Sequence, residues 1–319
     1  MGMRAPRPAT LRPFERDPDL MTPTRTTARR LFLLLATFLL SAGAAAASPS
    51  SEVPRIVFPV LGEASYEDDF GDPRGQGGHQ GNDIMAPRRA LALAAEAGTV
   101  KFWTTSARAG CMLYLYGASG TTYLYIHLNN DLGDTNDNAG GCVPGVAFTK
   151  ELKSGAKVAA GQPIAYVGDS GDADGIHPHL HFEVHPGDGA ATSPYPYLQK
   201  ARRLLFAAKQ GTTFTLALTG KVLTAAGQDL ALSLTQVRSW PGGRKIKQAG
   251  QKVGVVVPET ATIENVVDPA GLTPYPTLDL LTRGLPITVW TSPAKVTLAA
   301  QLAAKGALAA SRVVVKAGS

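Results

Sequence analysis

Between Ile56 and about Tyr195 the chain almost never sustains a helical period. Short apolar runs rich in β-branched and aromatic residues (GTVKFWTT, CMLYLYG, TTYLYIHL, GQPIAYVG, HLHFEVH) are interrupted by Gly, Asp and Asn about every 8 to 15 residues. That rhythm predicts an all-β domain over 56–195 and leaves no room for a helical bundle. Residues 196–210 place Leu198, Ala201, Leu204, Leu205 and Ala208 at helical spacing, which predicts a linking helix. After Gly211 the strand-like runs return (TFTLALTGKVLTAAG, DLALSLTQVRSW, KVGVVVPE, LPITVWTS, SRVVVKAG). Residues 211–319 are therefore expected to form a second small β domain, a barrel or a sandwich.

The start of the chain has a different character. Residues 31–47, LFLLLATFLLSAGAAAA, follow Arg25, Arg29 and Arg30 and lead into SPSSEVP. A basic stretch, an apolar run and an Ala-rich exit describe a cleaved secretion signal. The run is short for a membrane span, so no stable anchor is expected after cleavage. Met21 would give this signal an n-region of ordinary length. Residues 1–47 are read as extension and signal, and 48–55 as a linker.

Charge separates along the chain. The net +6 combines seven basic and three acidic residues over 1–47, nine and 17 over 48–199, and 15 and five over 200–319. An acidic central region is thus joined to a basic C-terminal one. A basic module is read as a contact for an anionic partner, and no nucleic-acid partner is expected.

All six histidines lie between His79 and His185. Three segments hold the chemistry: His79-Gln-Gly-Asn-Asp83, His127 in TYLYIHL, and His179-Leu-His181-Phe-Glu183. On a strand, alternate side chains share a face, so His179, His181 and Glu183 point one way and Leu180, Phe182 and Val184 point into a core. His79 and Asp83 add a nitrogen and a hard oxygen, with Gly81 between them allowing a tight path. Two histidines and a carboxylate, with a fourth position left to water, are the donor set of a catalytic zinc site rather than a structural one.

These motifs, taken in order, resemble the LytM/lysostaphin family of zinc peptidoglycan endopeptidases. H-x-x-x-D, then Y-x-H-L, then H-L-H-F-E are present, with the supporting phrases HQGNDIMAP, AAEAGTV and GQPIAYVGDSG. The likeness covers about residues 56–190. It implies an antiparallel, partly open barrel-like β domain with a narrow groove over the metal. It further implies Zn2+ held by His79, Asp83 and His181, with His127 and His179 as the catalytic histidines. One would act as general base and the other would stabilise the oxyanion. The substrate implied is peptidoglycan, cut in its stems or cross-bridges outside the cell or in its envelope. The alternative is an idle wall-binding protein or an activator of another hydrolase; the unsubstituted motif positions argue against it. One departure is the long insert NNDLGDTNDNAGGCVPG after His127.

Weaker signals complete the reading. Cys111 and Cys142, the only cysteines, are expected to pair in an oxidising compartment and tether that insert. Asp131 to Asn138 and the run Asp169, Asp172, Asp174 are read as polar turns, lacking calcium-loop spacing. His177 and His185 are read as solvated strand ends. Glu183 is equally well an orienting group for a ligand histidine or an ordinary strand residue.

Overall fold

The fold was analysed in a computed structural model, which describes residues 53–75, 77–265 and 277–315. The extension, the signal and the start of the linker lie outside the described residues. Among the described residues no helix is long and apolar enough to cross a membrane.

The first half of the chain forms ten strands. They are β1 (Pro73–Arg74), β2 (Gly77–Gly78), β3 (Asn82–Met85), β4 (Leu91–Leu93), β5 (Gly98–Ser106), β6 (Gly110–Gly117), β7 (Thr122–Leu128), β8 (Lys157–Val158), β9 (Pro163–Tyr166) and β10 (His179–His185). Six of them make an antiparallel sheet in the order β3-β10-β7-β6-β5-β8. One face of this sheet is apolar. Ile84, Val100, Leu113, Leu115, Tyr123, Tyr125, Leu180, Phe182 and Val184 are fully buried there, as strand alternation requires. Tyr125 keeps its hydroxyl satisfied at this depth by donating to the Leu93 carbonyl and accepting from the Ala95 amide, both within 2.9 Å. The opposite face is open and carries His181 and Glu183.

The second half contributes β11 (Thr213–Ala226), β12 (Asp229–Trp240), β13 (Arg244–Lys247), β14 (Lys252–Val256), β15 (Thr262–Asn265), β16 (Pro286–Thr291), β17 (Ala294–Lys295) and β18 (Ala310–Val315). Each of the five runs singled out in the sequence is one of these strands. They form one eight-stranded sheet, antiparallel except for the β15–β18 pair. An isolated bridge pairs Val256 of β14 with Ala309, just ahead of β18.

The linking helix is shorter than its periodicity predicts. Helix α1 spans only Tyr195–Lys200, and residues 201–210 are not helical. Arg202 exchanges backbone hydrogen bonds with Ile56 and Phe58. Leu204, Leu205 and Phe206 are consecutive and all buried. Three successive buried side chains do not fit one stripe of a helix, so tertiary burial overrides the local period. These three residues join Val57, Leu61, Leu91 and Leu93 in the same apolar cluster as Leu216, Leu232 and Val289 of the second sheet.

Cys111 and Cys142 form a disulfide that ties the insert after His127 to β6. Closing a loop of this length contributes about 3–4 kcal/mol in the chain-entropy model. The Cys111→Ala/Cys142→Ala double variant is expected to unfold in urea with a free energy lower by about that amount. An unchanged midpoint and slope would show that the insert is held without the bridge.

Candidate metal centre

The register of β3 against β10 sets His181 opposite Asp83. His79 arrives from the segment ahead of β3. Three donor atoms converge: His79 Nε2 lies 2.9 Å from His181 Nδ1, and Asp83 Oδ1 lies 3.2 Å from the first and 3.0 Å from the second. These three residues form a group able to hold a metal ion.

The remaining nitrogen of each ring is already committed. His79 Nδ1 lies 2.9 Å from the Asp69 carbonyl oxygen, with the Asp69 carboxylate 3.2 Å away. His181 Nε2 lies 3.0 Å from Glu183 Oε1. With each ring's proton spent on those acceptors, two imidazole lone pairs and a carboxylate oxygen face one another. Such a set draws in a positive charge, either a proton or a metal ion.

Protons compete with a metal ion for these same lone pairs. Burial opposes a charge on His79, but hydrogen bonds to Asp69 and Asp83 outweigh it and raise the ring to about 10. Burial likewise opposes ionisation of Asp83, yet its bonds to His181 and His79 hold it far below the usual carboxylate range. His181 is raised by Asp83 and Glu183 against the cost of its burial. The donor set fits a divalent ion with nitrogen and oxygen ligands.

His127 reaches this centre through an irregularity. Alternation along β7 would send it into the core with Tyr123 and Tyr125. The β6–β7 register shifts between Cys111 and Leu113, so that Leu113 pairs with Tyr125 but Cys111 with Leu128, and His127 has a φ of 58°. This extra residue re-aims the ring, as bulges beside active sites do. Its centroid lies 5.1 Å from that of His179 and 5.9 Å from that of His181. Burial lowers His127 to about 4, against the opposing bond to the Ser170 carbonyl, so the ring is neutral at pH 7. His179 is 2% exposed, with Nε2 3.8 Å from Asp83 Oδ1 and Nδ1 3.0 Å from the His177 carbonyl.

All five residues singled out in the sequence therefore meet in one groove of about 700 Å³. His177 stays outside the cluster, exposed and 2.9 Å from the Pro178 carbonyl. His185 is not a solvated strand end. Its Nε2 lies 2.6 Å from Glu183 Oε2, and its Nδ1 is held by the Gly189 carbonyl, so His185 fixes Glu183 and Glu183 fixes His181. Glu183 is ionised: burial opposes its charge, and His181 and His185 more than compensate.

Sequence reasoning missed two further groups. Arg74, on the β1–β2 hairpin, places a guanidinium nitrogen 2.9 Å from Asp83 Oδ2 and lines the groove. Its signal was the lone cation in the glycine-rich stretch FGDPRGQGG. Asp69, from the same stretch, orients His79.

Gly81 has a steric role here. A Cβ at this position would stand 2.6 Å from the Phe182 carbonyl and 2.7 Å from His181 Nε2. Gly81→Ala is expected to weaken divalent-ion binding about 10- to 100-fold by displacing the ligand ring from Glu183. Competition with a chelator measures this, and unchanged affinity would remove the steric role.

No family model matches the chain. The chain is 28% identical over 163 residues to the L-Ala–D-Glu endopeptidase of Bacillus subtilis (strain 168), a stretch covering 48% of this chain and 45% of that protein. Over this stretch the chain resembles an endopeptidase of the LytM/lysostaphin type. The match takes in less than half the length of this curated relative. Among solved structures, the chain is similar to the catalytic domain of lysostaphin from Staphylococcus simulans. That pair is 23% identical over 43% of this chain and 92% of the other, with a TM-score of 0.33. A zinc containing peptidase from Vibrio cholerae matches at 22% identity over 43% and 38%, with a TM-score of 0.32. The ordered motifs and the curated relative carry the family likeness.

Proposed function

We propose that this protein is a secreted, zinc-dependent endopeptidase of the cell envelope that hydrolyses peptide bonds in the stems or cross-bridges of bacterial peptidoglycan. The observation that carries this reading is the convergence of His79 Nε2, His181 Nδ1 and Asp83 Oδ1 in a groove that also holds two uncommitted imidazole nitrogens. The curated relative, an L-Ala–D-Glu endopeptidase, supports the substrate class.

His79, Asp83 and His181 would hold the ion, leaving a position for water. Zinc bound there polarises a carbonyl and brings the pKa of water toward about 7. The chain's own residues supply the rest. His127 and His179 each direct Nδ1 at a backbone carbonyl, of Ser170 and His177 respectively, and so present Nε2 as a proton acceptor. One of these rings takes the proton of the attacking water and returns it to the leaving amine. The other, once it carries a proton on Nε2, donates to the developing oxyanion. Arg74 holds the second oxygen of Asp83, which keeps the first aimed at the ion. Glu183 and Asp69 orient the two ligand rings.

None of the described residues after Gly211 lines the groove. The excess of basic residues in this C-terminal region supports a role in holding the enzyme on anionic wall polymers, a contact that weakens with salt.

Digestion of purified walls with the zinc-loaded protein, followed by muropeptide analysis, tests the activity and identifies the bond. New amino termini within stems or bridges are the expected products. A wall that stays intact while the protein binds it would favour the activator reading.

A further inference from the structure

The metal-bearing face of the six-stranded sheet does not end at the histidines. Register carries it sideways: Glu183 pairs with Leu124, Leu124 with Tyr114, and Tyr114 with Lys101. One pair further along, His185 faces Thr122, Thr122 faces Tyr116, and Tyr116 faces Thr99. Trp103, two residues beyond Lys101, lies on the same face opposite Met112. Directly opposed residues share a face, so Tyr114, Tyr116 and Trp103 form one aromatic patch continuous with the groove floor. Tyr114 itself lines the groove.

This patch is open. Trp103 is 42% and Tyr116 39% exposed, among the few large apolar side chains left in water. The Tyr114 and Tyr116 rings are nearly parallel with centroids 6.1 Å apart, and Trp103 meets Tyr114 edge-on at 6.1 Å. Their neighbours on the face are Thr99, Lys101 and Thr122, with Leu124 opposite Tyr114 and Met112 opposite Trp103. Lys101 Nζ lies 5.8 Å from the Trp103 ring. Half-buried Leu124 adds an aliphatic contact opposite Tyr114. Rings with polar tips in a largely polar frame suit a ligand that is apolar on its faces and hydroxylated at its rim, which describes a pyranose.

We propose that Trp103, Tyr114 and Tyr116 form a binding subsite for the amino-sugar strand of peptidoglycan. The proposal rests on the peptidoglycan reading above and extends it from the peptide to the glycan. The spacing is suitable. Adjacent strands lie about 4.8 Å apart, so Tyr114 is about 10 Å and Trp103 about 14 Å across the sheet from the column of His181. An extended peptide advances about 3.4 Å per residue, so a stem of two to four residues joins the two places. The glycan would rest on the aromatic rings while its stem peptide reaches the ion.

Isothermal titration of the full zinc-loaded protein with a peptide-free N-acetylglucosamine hexasaccharide tests this. Saturable binding is expected, weakened about tenfold or more in Trp103→Ala and in Tyr116→Ala and retained in Tyr116→Phe, since the ring supplies the contact. Both positions are exposed, and circular dichroism checks that the variants fold. No binding by the unaltered protein, or equal binding by both alanine variants, overturns the proposal. So does self-association in sedimentation that Trp103→Ala abolishes, which would make the patch a contact between copies. The titration needs no catalysis. Sugar binding without wall hydrolysis would sink the peptidase reading alone, and wall hydrolysis without sugar binding would sink the subsite alone.

Discussion

His181→Ala and Asp83→Ala are expected to lose the bound ion and the activity together, whereas His127→Ala and His179→Ala keep the ion and lose only turnover. The reason is geometric. The first two remove atoms that face each other at 3.0 Å and are oriented from behind by Glu183 and Arg74. Removing either leaves two ligands, and a tetrahedral site with three protein donors does not survive that loss at ordinary metal concentrations. His127 and His179 instead stand to one side, held through Nδ1 by backbone carbonyls. Losing a general acid–base group costs about 10²–10⁴-fold in rate, while the ion stays. Metal content by mass spectrometry and hydrolysis of wall suspensions, measured on the same preparations, give the comparison. Full metal occupancy in His181→Ala or Asp83→Ala would overturn the ligand assignment.

Arg88→Met should be the most destabilising single change away from that centre. Asp131 and Asp169 are fully buried, and Arg88 reaches both, with two parallel bonds of 2.7 Å to Asp169. The other oxygen of Asp131 accepts the amides of Asp137 and Asn138, which folds the insert back on itself. Without the guanidinium, two carboxylates would remain buried and uncompensated, a loss of about 3–5 kcal/mol. Urea unfolding measures it, and Arg88→Met combined with Asp131→Asn and Asp169→Asn should recover part of the loss. A change below about 1 kcal/mol would show that water replaces the arginine. Activity should fall as well, because Asp169 precedes Ser170, whose carbonyl holds His127.

These residues show how far sequence reasoning reaches. In the sequence the aspartates at 131 and 169 look like polar turns, because composition alone does not reveal that a cation is folded over them. Their partner is 43 residues away from one and 81 from the other. His185 and Arg74 were missed for the same reason. Each acts through a contact made only when separate strands or a hairpin come together. The helix drawn over 196–210 erred the other way: a local period was present, but burial of Leu204, Leu205 and Phe206 against the second sheet outweighed it.

What the sequence determined by itself was whatever depends on neighbours along the chain. Strand periodicity placed His179, His181 and Glu183 on one face, gave the mainly β architecture and marked the five principal strands of the second region. The short spacing from His79 to Asp83 delivered two donors to one point. The tertiary structure alone decided the bulge that turns His127 out of the core, the clamp of Arg74 on Asp83, the relay from His185 to His181 and the aromatic extension of the groove floor. Alternation is a property of one strand, whereas register, bulges and buried ion pairs are properties of two strands meeting, and no local pattern encodes which pairs will meet.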